Sequence, residues 1–308
     1  SRHARLYTEM VTTGAMLNGD RARHLDYHPA EHPLALQVGG SNPDELARCA
    51  ELAQQWQYDE INLNVGCPSD RVQSGRFGAC LMADPELVTR CIRAMQQACD
   101  IPVTVKSRIG IDEHDSDEFL WRFIQPLYDA GCRIFVVHAR IALLDGLSPK
   151  ENREIPPLQY DRVERLKTAF PDACIVLNGG IRSIEQSQEL LQTFDGVMLG
   201  REIYQNPYIM TEVDNALFGE HNPVMSRSDV IQAFLPYMQE QLANGVSLHH
   251  MTRHILGLYK GQPGGKQFRR HLSENAWRKG SGISVLEDAV TMAESLRNSE
   301  SLTEENPA

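Results

Sequence analysis

Residues 62–70 read Asn-Leu-Asn-Val-Gly-Cys-Pro-Ser-Asp. A strand pattern ends there, a glycine turns the chain, and Cys67 follows before a proline. A thiol held in a polar turn can serve as nucleophile, metal ligand or general acid. Cys91 and Cys99 fall instead on a helical pattern, where cysteine usually acts as a small buried hydrophobe. Lys106 and His138 end two later strand patterns, in VTVK and IFVVHA. A lysine in a strand wall is costly to desolvate unless it meets an anion or a polar partner. Asn178-Gly179-Gly180 ends a further strand, and Gly200-Arg201 ends the next. Glycines let a ligand approach the backbone, and an arginine beside them adds a charge-assisted hydrogen bond, so these two turns point to phosphate.

A different chemistry sits near the end of the chain. Between Met251 and Gly282, seven cations (Arg253, Lys260, Lys266, Arg269, Arg270, Arg278 and Lys279) face one acid, Glu274. The whole chain carries a formal net charge of −11, so this segregation is sharp. Tyr259, Phe268 and Trp277 lie in the same segment. A basic face with aromatic side chains suits RNA phosphates and unstacked bases.

Seven short β-branched or apolar runs must position these groups: 6–12, 34–40, 60–66, 103–108, 134–140, 174–180 and 196–201. Most gaps between them leave room for a crossover helix. Residues 43–57 and 183–193 carry helical patterns, the second opened by Ser183 as N-cap. Runs apolar on both sides, such as IFVVHA and IVLNGG, predict a parallel sheet covered on both faces. Polar residues recur at the carboxyl ends of the runs: Gln37, Asn64, Cys67, Lys106, His138, Asn178 and Arg201. A TIM (β/α)8 barrel gathers such ends at one mouth, whereas an open doubly wound sheet does not. The expected fold is therefore α/β, a TIM barrel. Seven units are found where eight are needed, and the chain begins almost inside a strand, so a first strand is expected to be missing from this sequence. Residues 1–221 are expected to form the barrel. A helical domain over 222–298 follows, with helices at 223–243, 247–260 and 285–297, and 299–308 read as a disordered polar tail.

Composition narrows the class. The chain has 308 residues, 42% hydrophobic and 23% charged, which excludes low-complexity disorder, collagen and a small disulfide scaffold. No run approaches the ~18 apolar residues of a membrane span, and the start has no apolar signal core. Seven cysteines, an odd number without a CxxC, argue against a disulfide framework and a thiolate zinc site. A reduced, cytoplasmic protein without metal or membrane is expected, and it is expected to be monomeric.

The motifs NLNVGCPSDRV (62–72), GACLM (78–82), VTVKSRIG (103–110), VHAR (137–140), NGGI (178–181) and VMLGR (197–201) resemble those of the tRNA-dihydrouridine synthases. SPKENREIPPL (148–158) and HLSENA (271–276) resemble the A-type bacterial branch, which acts in the D-loop at positions 20 and 20a. The likeness runs from about Leu6 to about Leu286. It implies FMN at the barrel mouth, with Gln37, Lys106 and His138 as flavin contacts. Asn178, Gly179, Gly180, Gly200 and Arg201 are implied at the phosphate end, and Cys67 as the catalytic acid. Asn64, Arg140, Lys150, Glu151 and Arg153 are implied to face RNA, and Lys266, Arg269 and Arg270 to lie on a tRNA-binding helical module. NADPH is implied as reductant. The chain has no Rossmann GxGxxG, so the nicotinamide is expected at the same mouth. Residues 141–146, Ile-Ala-Leu-Leu-Asp-Gly, stand where A-type members usually carry lysines.

The implied reaction is physically coherent. Hydride added at C6 of uracil pushes charge onto the O4–C5 enolate, and C5 then takes a proton. A thiol in water, with pKa about 8.5, stays mostly protonated at neutral pH and can give that proton. The target base must leave its stack, which costs a few kcal/mol. Two alternatives use the same residues: a flavin-dependent reductase of a free pyrimidine, and a non-catalytic RNA-binding barrel protein.

Overall fold

The strands follow one another through a single parallel sheet in the order of the chain. They are β1 (Leu6–Tyr7), β2 (Val11–Thr12), β3 (Leu34–Gly39), β4 (Glu60–Val65), β5 (Val103–Arg108), β6 (Ile134–His138), β7 (Cys174–Asn178) and β8 (Gly196–Met198). The computed structural model describes the backbone of residues 1–304, and the side chains of all of these except 71 and 298–304. Strands alternate with helices as the sequence predicts, giving the parallel βα layout of a TIM barrel. Among the described residues, β8 forms no ladder with β1 or β2.

The first expected strand, 6–12, is split. Leu6 and Tyr7 pair with Leu34 and Ala35, but Val11 and Thr12 pair with Val38 and Gly39. The 6–12 side therefore has one residue more than its partner, which is a β-bulge. Thr8 fills the gap: its hydroxyl oxygen accepts the N–H of Gln37 at 3.0 Å, where a ladder carbonyl would otherwise stand. Strands β6, β7 and β8 stop at His138, Asn178 and Met198, two or three residues before the expected ends. For β7 the reason is conformational, because Gly179 and Gly180 take φ of 116° and 73°.

Alternation along each strand separates two environments. Ile61, Leu63, Val65, Phe135, Val137, Ile175 and Leu177 join the core, which also holds Leu46, Val88, Ile92, Leu120 and Phe123 from helices Pro43–Gln55, Pro85–Ala98 and Asp117–Asp129. Each such side chain contributes roughly 1.5–3 kcal/mol by leaving water. The intervening positions, Glu60, Asn62, Asn64, Thr104, Lys106 and Asn178, are polar and point the other way, into the barrel.

The chain divides into two compact units, Arg2–Leu199 and a second comprising Ser1 and the chain from Gly200 onward. The division falls before the boundary expected at 221. In the second unit, helix Met210–Phe218 packs on the short turn Pro207–Ile209. Helices Arg227–Ala243, Gly265–Asn275 and Ile283–Glu304 enclose Ile231, Met238, Phe268, Leu272, Leu286 and Ala289. The helix expected over 247–260 is confined to Leu248–Thr252, and the following backbone bonds run from each residue to the third before it, at Ile255, Leu258 and Lys260. The tail expected to be disordered over 299–308 is helical through Glu304, and 305–308 lie outside the described residues. Among the described residues, no helix is long and apolar enough to cross a membrane.

Candidate active site

Cys67 occupies the turn that leaves β4, and it is partly exposed. The side-chain oxygen of Asn64 accepts the N–H of Gly66 at 3.1 Å and that of Cys67 at 3.0 Å. The Cys67 carbonyl accepts the N–H of Ala79 at 2.9 Å. The thiol lies 3.4 Å from the Ser69 hydroxyl. Gly78 makes this close approach possible: its φ is 76°, and a Cβ there would lie 2.5 Å from the Cys67 carbonyl oxygen. The turn is thus fixed by its own strand on one side and by the 78–83 segment on the other. Cys67, Ser69 and Phe77 line a cavity of about 580 Å³ together with Thr8, Met10 and Val11, and its walls include none of Gln37, Lys106 or Asn178.

Inside the barrel, Asn64 pairs in register with Lys106, Arg108 with His138, and His138 with Asn178. Together with Gln37 opposite Asn62, these pairings bring Gln37, Asn64, Lys106, His138 and Asn178 toward the carboxyl ends of neighbouring strands. Lys106 Nζ donates to Asn178 Oδ1 at 3.0 Å, and Asn178 Nδ2 donates to the Met198 carbonyl at 2.7 Å. Burial of its ammonium pulls the Lys106 pKa down to about 7, and the charge of Arg108 pushes the same way. His138 is buried, and its ring passes so close to Gly179 that a Cβ there would lie 3.2 Å from Nε2.

Arg108, 4% exposed, was not singled out in the sequence. Its Nε donates to the Gly66 carbonyl at 3.1 Å, and Nη1 donates to the carbonyls of Ile141 and Asn152 at 3.1 and 3.0 Å. It ties the residue before Cys67 to the loop that carries Arg140, Lys150, Glu151 and Arg153. Gln73 adds a second tie, donating to Pro68 and Leu144 carbonyls at 2.9 and 2.6 Å. Asn152, fully buried, accepts the Leu143 N–H and donates to the Leu143 carbonyl, both at 2.8 Å. Within this loop Arg140 donates to the Pro156 carbonyl, Lys150 is exposed, and the Glu151 carboxylate accepts both N–H and hydroxyl of Ser148. Those two bonds hold the Glu151 carboxyl below the usual range.

The remaining sequence candidates lie in the second unit. Gly200 caps, and Arg201 opens, the five-residue helix Arg201–Gln205. Lys266, Arg269 and Arg270 are exposed on helix Gly265–Asn275, three and four residues apart and so on one face. Two of the three aromatics expected among these cations are not on the surface. Tyr259 and Phe268 are buried against each other, ring centroids 4.7 Å apart, because Phe268 and Leu272 form the inward stripe of the same helix. Only Trp277 of the three is exposed.

The donor set inside the barrel fits a flavin. Lys106 is a half-buried amine whose protonation is disfavoured by burial and by the charge of Arg108, so an electron-rich ligand would satisfy it. Gln37 and Asn64 each spend one amide N–H on a protein acceptor and keep a second. Among the described residues, no group of three or more His, Cys, Asp or Glu side chains could hold a metal.

Comparison with known proteins bears on this arrangement. The family profile described as Dihydrouridine synthase (Dus) matches residues 1–294. The chain is 62% identical over 286 residues to the tRNA-dihydrouridine(20/20a) synthase of Shewanella oneidensis, covering 93% of this chain and 85% of that protein. It is 58% identical to the protein of the same name in Vibrio cholerae, covering 92% and 87%, and 56% identical to that in Pseudomonas aeruginosa, covering 95% and 88%.

Proposed function

The chain belongs to the dihydrouridine synthase family, and from that premise we propose that it reduces uridine to 5,6-dihydrouridine at positions 20 and 20a in the D-loop of tRNA, with FMN as cofactor and NADPH as reductant. The observation that carries the reading is the placement of Cys67. It lies in the turn that leaves β4, its N–H held by the side chain of Asn64, whose strand neighbour is Lys106.

A reduced flavin held at the mouth would supply the hydride that C6 of uracil takes. Cys67 gives its proton to C5 as charge reaches the enolate, so its place in the turn decides whether the proton arrives. Once the proton has left, the thiolate charge on Cys67 favours the protonated forms of Lys106 and Arg108. Gln37, Lys106 and His138 would hold the isoalloxazine and Asn178, Gly179 and Gly180 the phosphate, a role the sequence also assigns to Gly200 and Arg201. Asn64 and the 140–153 loop meet the flipped-out nucleotide, with Arg140, Lys150 and Arg153 as its cations. Lys266, Arg269 and Arg270 take phosphates elsewhere on the tRNA, compensating the cost of unstacking.

The test uses the FMN-loaded protein with NADPH and an unmodified tRNA transcript, with dihydrouridine mapped by mass spectrometry. Dihydrouridine at 20 and 20a is expected. Turnover of free uridine without any in tRNA would favour the free-pyrimidine reductase. A colourless preparation that binds tRNA in a salt-sensitive way, without turnover, would favour the RNA-binding protein.

A further inference from the structure

Glu60 is 1% exposed, at the end of β4 remote from Cys67, and nothing in the reaction calls for it. Its carboxylate accepts from Arg5, from the Tyr7 hydroxyl at 2.8 Å and from the Thr104 hydroxyl at 2.6 Å. From Thr104 a single file of hydrogen bonds climbs the barrel interior. Asn62 Nδ2 donates to Thr104 Oγ1 at 2.8 Å, Gln37 Nε2 to Asn62 Oδ1 at 2.9 Å, and Asn64 Nδ2 to Gln37 Oε1 at 2.8 Å. The file ends where the backbone N–H groups of Gly66 and Cys67 donate to Asn64 Oδ1.

The two ends fix its direction. An ionised carboxylate only accepts, so the Thr104 hydroxyl must donate to Glu60 and leave its lone pair to Asn62. A backbone N–H only donates, so Asn64 must turn its oxygen toward Cys67. Every amide between then has one allowed orientation, since flipping any of them sets two donors or two acceptors face to face. Burial makes such a mismatch costly. With its oxygen already taking two N–H groups and one amide hydrogen spent on Gln37, Asn64 has only a hydrogen left to offer a ligand. Gln37 likewise keeps one.

We propose that Glu60 is a positioning residue: through Thr104, Asn62 and Gln37 it orients the Asn64 amide, which holds the Cys67 turn in place and presents an N–H donor toward a carbonyl oxygen of the substrate base. The inference rests on the reading of the site given above.

Glu60→Gln keeps the volume but brings a donor to the foot of the file. Thr104→Val removes the hydroxyl at constant shape, and Thr104→Ser restores it. With FMN-loaded protein and tRNA, Glu60→Gln and Thr104→Val are expected to lose at least tenfold in kcat, with KM for tRNA within about twofold of wild type. Thr104→Ser is expected to recover to within about threefold. Independently of turnover, amide hydrogen exchange at Gly66 and Cys67 is expected to quicken at least fivefold in Thr104→Val and to return in Thr104→Ser. Unchanged exchange in a folded Thr104→Val, a loss carried by KM, or equal losses in the Val and Ser variants would overturn the proposal. Should Thr104→Val not fold, Glu60→Gln carries both measurements. If wild type makes no dihydrouridine, the functional reading fails while the exchange data still decide the relay.

Discussion

Lys106 donates to Asn178 at 3.0 Å from β5 to β7, passing over the inward face of β6, which lies between them. Two strand spacings, about 10 Å of sheet, are spanned by one side-chain pair. The contact places a cation in the barrel interior with an amide oxygen as its partner, and burial weakens that cation's hold on its proton.

That weakening has a measurable sign. In the unfolded chain a lysine keeps its proton to about pH 10.4, whereas Lys106 releases it near pH 7 in the fold. Between these values the unfolded chain binds more protons, so the stability of the flavin-free protein gains from this residue as pH rises from about 7 towards 10. Below about 7 the buried charge is a full cost. Lys106→Met removes both. Urea unfolding should show the variant's stability, relative to wild type, falling by on the order of a few kcal/mol between pH 7 and 9.5. Parallel stability curves would mean that Lys106 is not desolvated.

Cys67→Ala should bind flavin normally and lose dihydrouridine formation by at least tenfold, since a general acid typically contributes about 10²–10⁴-fold. Flavin content by visible absorbance and product by mass spectrometry test the two halves separately. Unchanged turnover would remove Cys67 from the reaction.

Gly78→Ala should disturb the same turn without touching the thiol. A methyl group there meets the Cys67 carbonyl oxygen at 2.5 Å and the Val72 side chain at 2.3 Å, on a backbone with φ of 76°. A cost of roughly 1–3 kcal/mol in unfolding free energy is expected, with kcat lowered by displacement of Cys67. Wild-type stability and rate together would show that the segment yields freely.

Arg269→Glu with Arg270→Glu should weaken tRNA binding at least tenfold and flatten its salt dependence by about one unit of slope per lost phosphate contact. Arg270 also pairs with Glu274 at 2.8 Å on the exposed helix surface, so its replacement adds a local repulsion. Fluorescence anisotropy at several salt concentrations measures both effects. Turnover that survives with unaltered KM would favour a small-molecule substrate.

Much of the barrel can be read from local pattern. Runs of apolar residues bounded by turn residues placed all seven strand positions, since a strand's exposure on two faces is written into consecutive residues. The turn around Cys67 and the glycines after Asn178 were legible for the same reason. Surface and core were harder to tell apart in the second unit: charge spacing revealed the face of Lys266, Arg269 and Arg270, but Tyr259 and Phe268 looked equally suited to bases and to a core. Their burial depended on Leu272 and on other helices.

The alternation Glu60, Asn62, Asn64 was visible in the sequence as a polar face of β4, but not what that face touches. Gln37, Asn62 and Thr104 meet because three strands far apart in the chain lie side by side in one register. The sequence by itself determined which residues stand on strand ends and which chemistry they could bring. The tertiary structure alone decided who donates to whom, because hydrogen-bond partners inside a barrel are chosen by strand register, and register is a property of the assembled sheet.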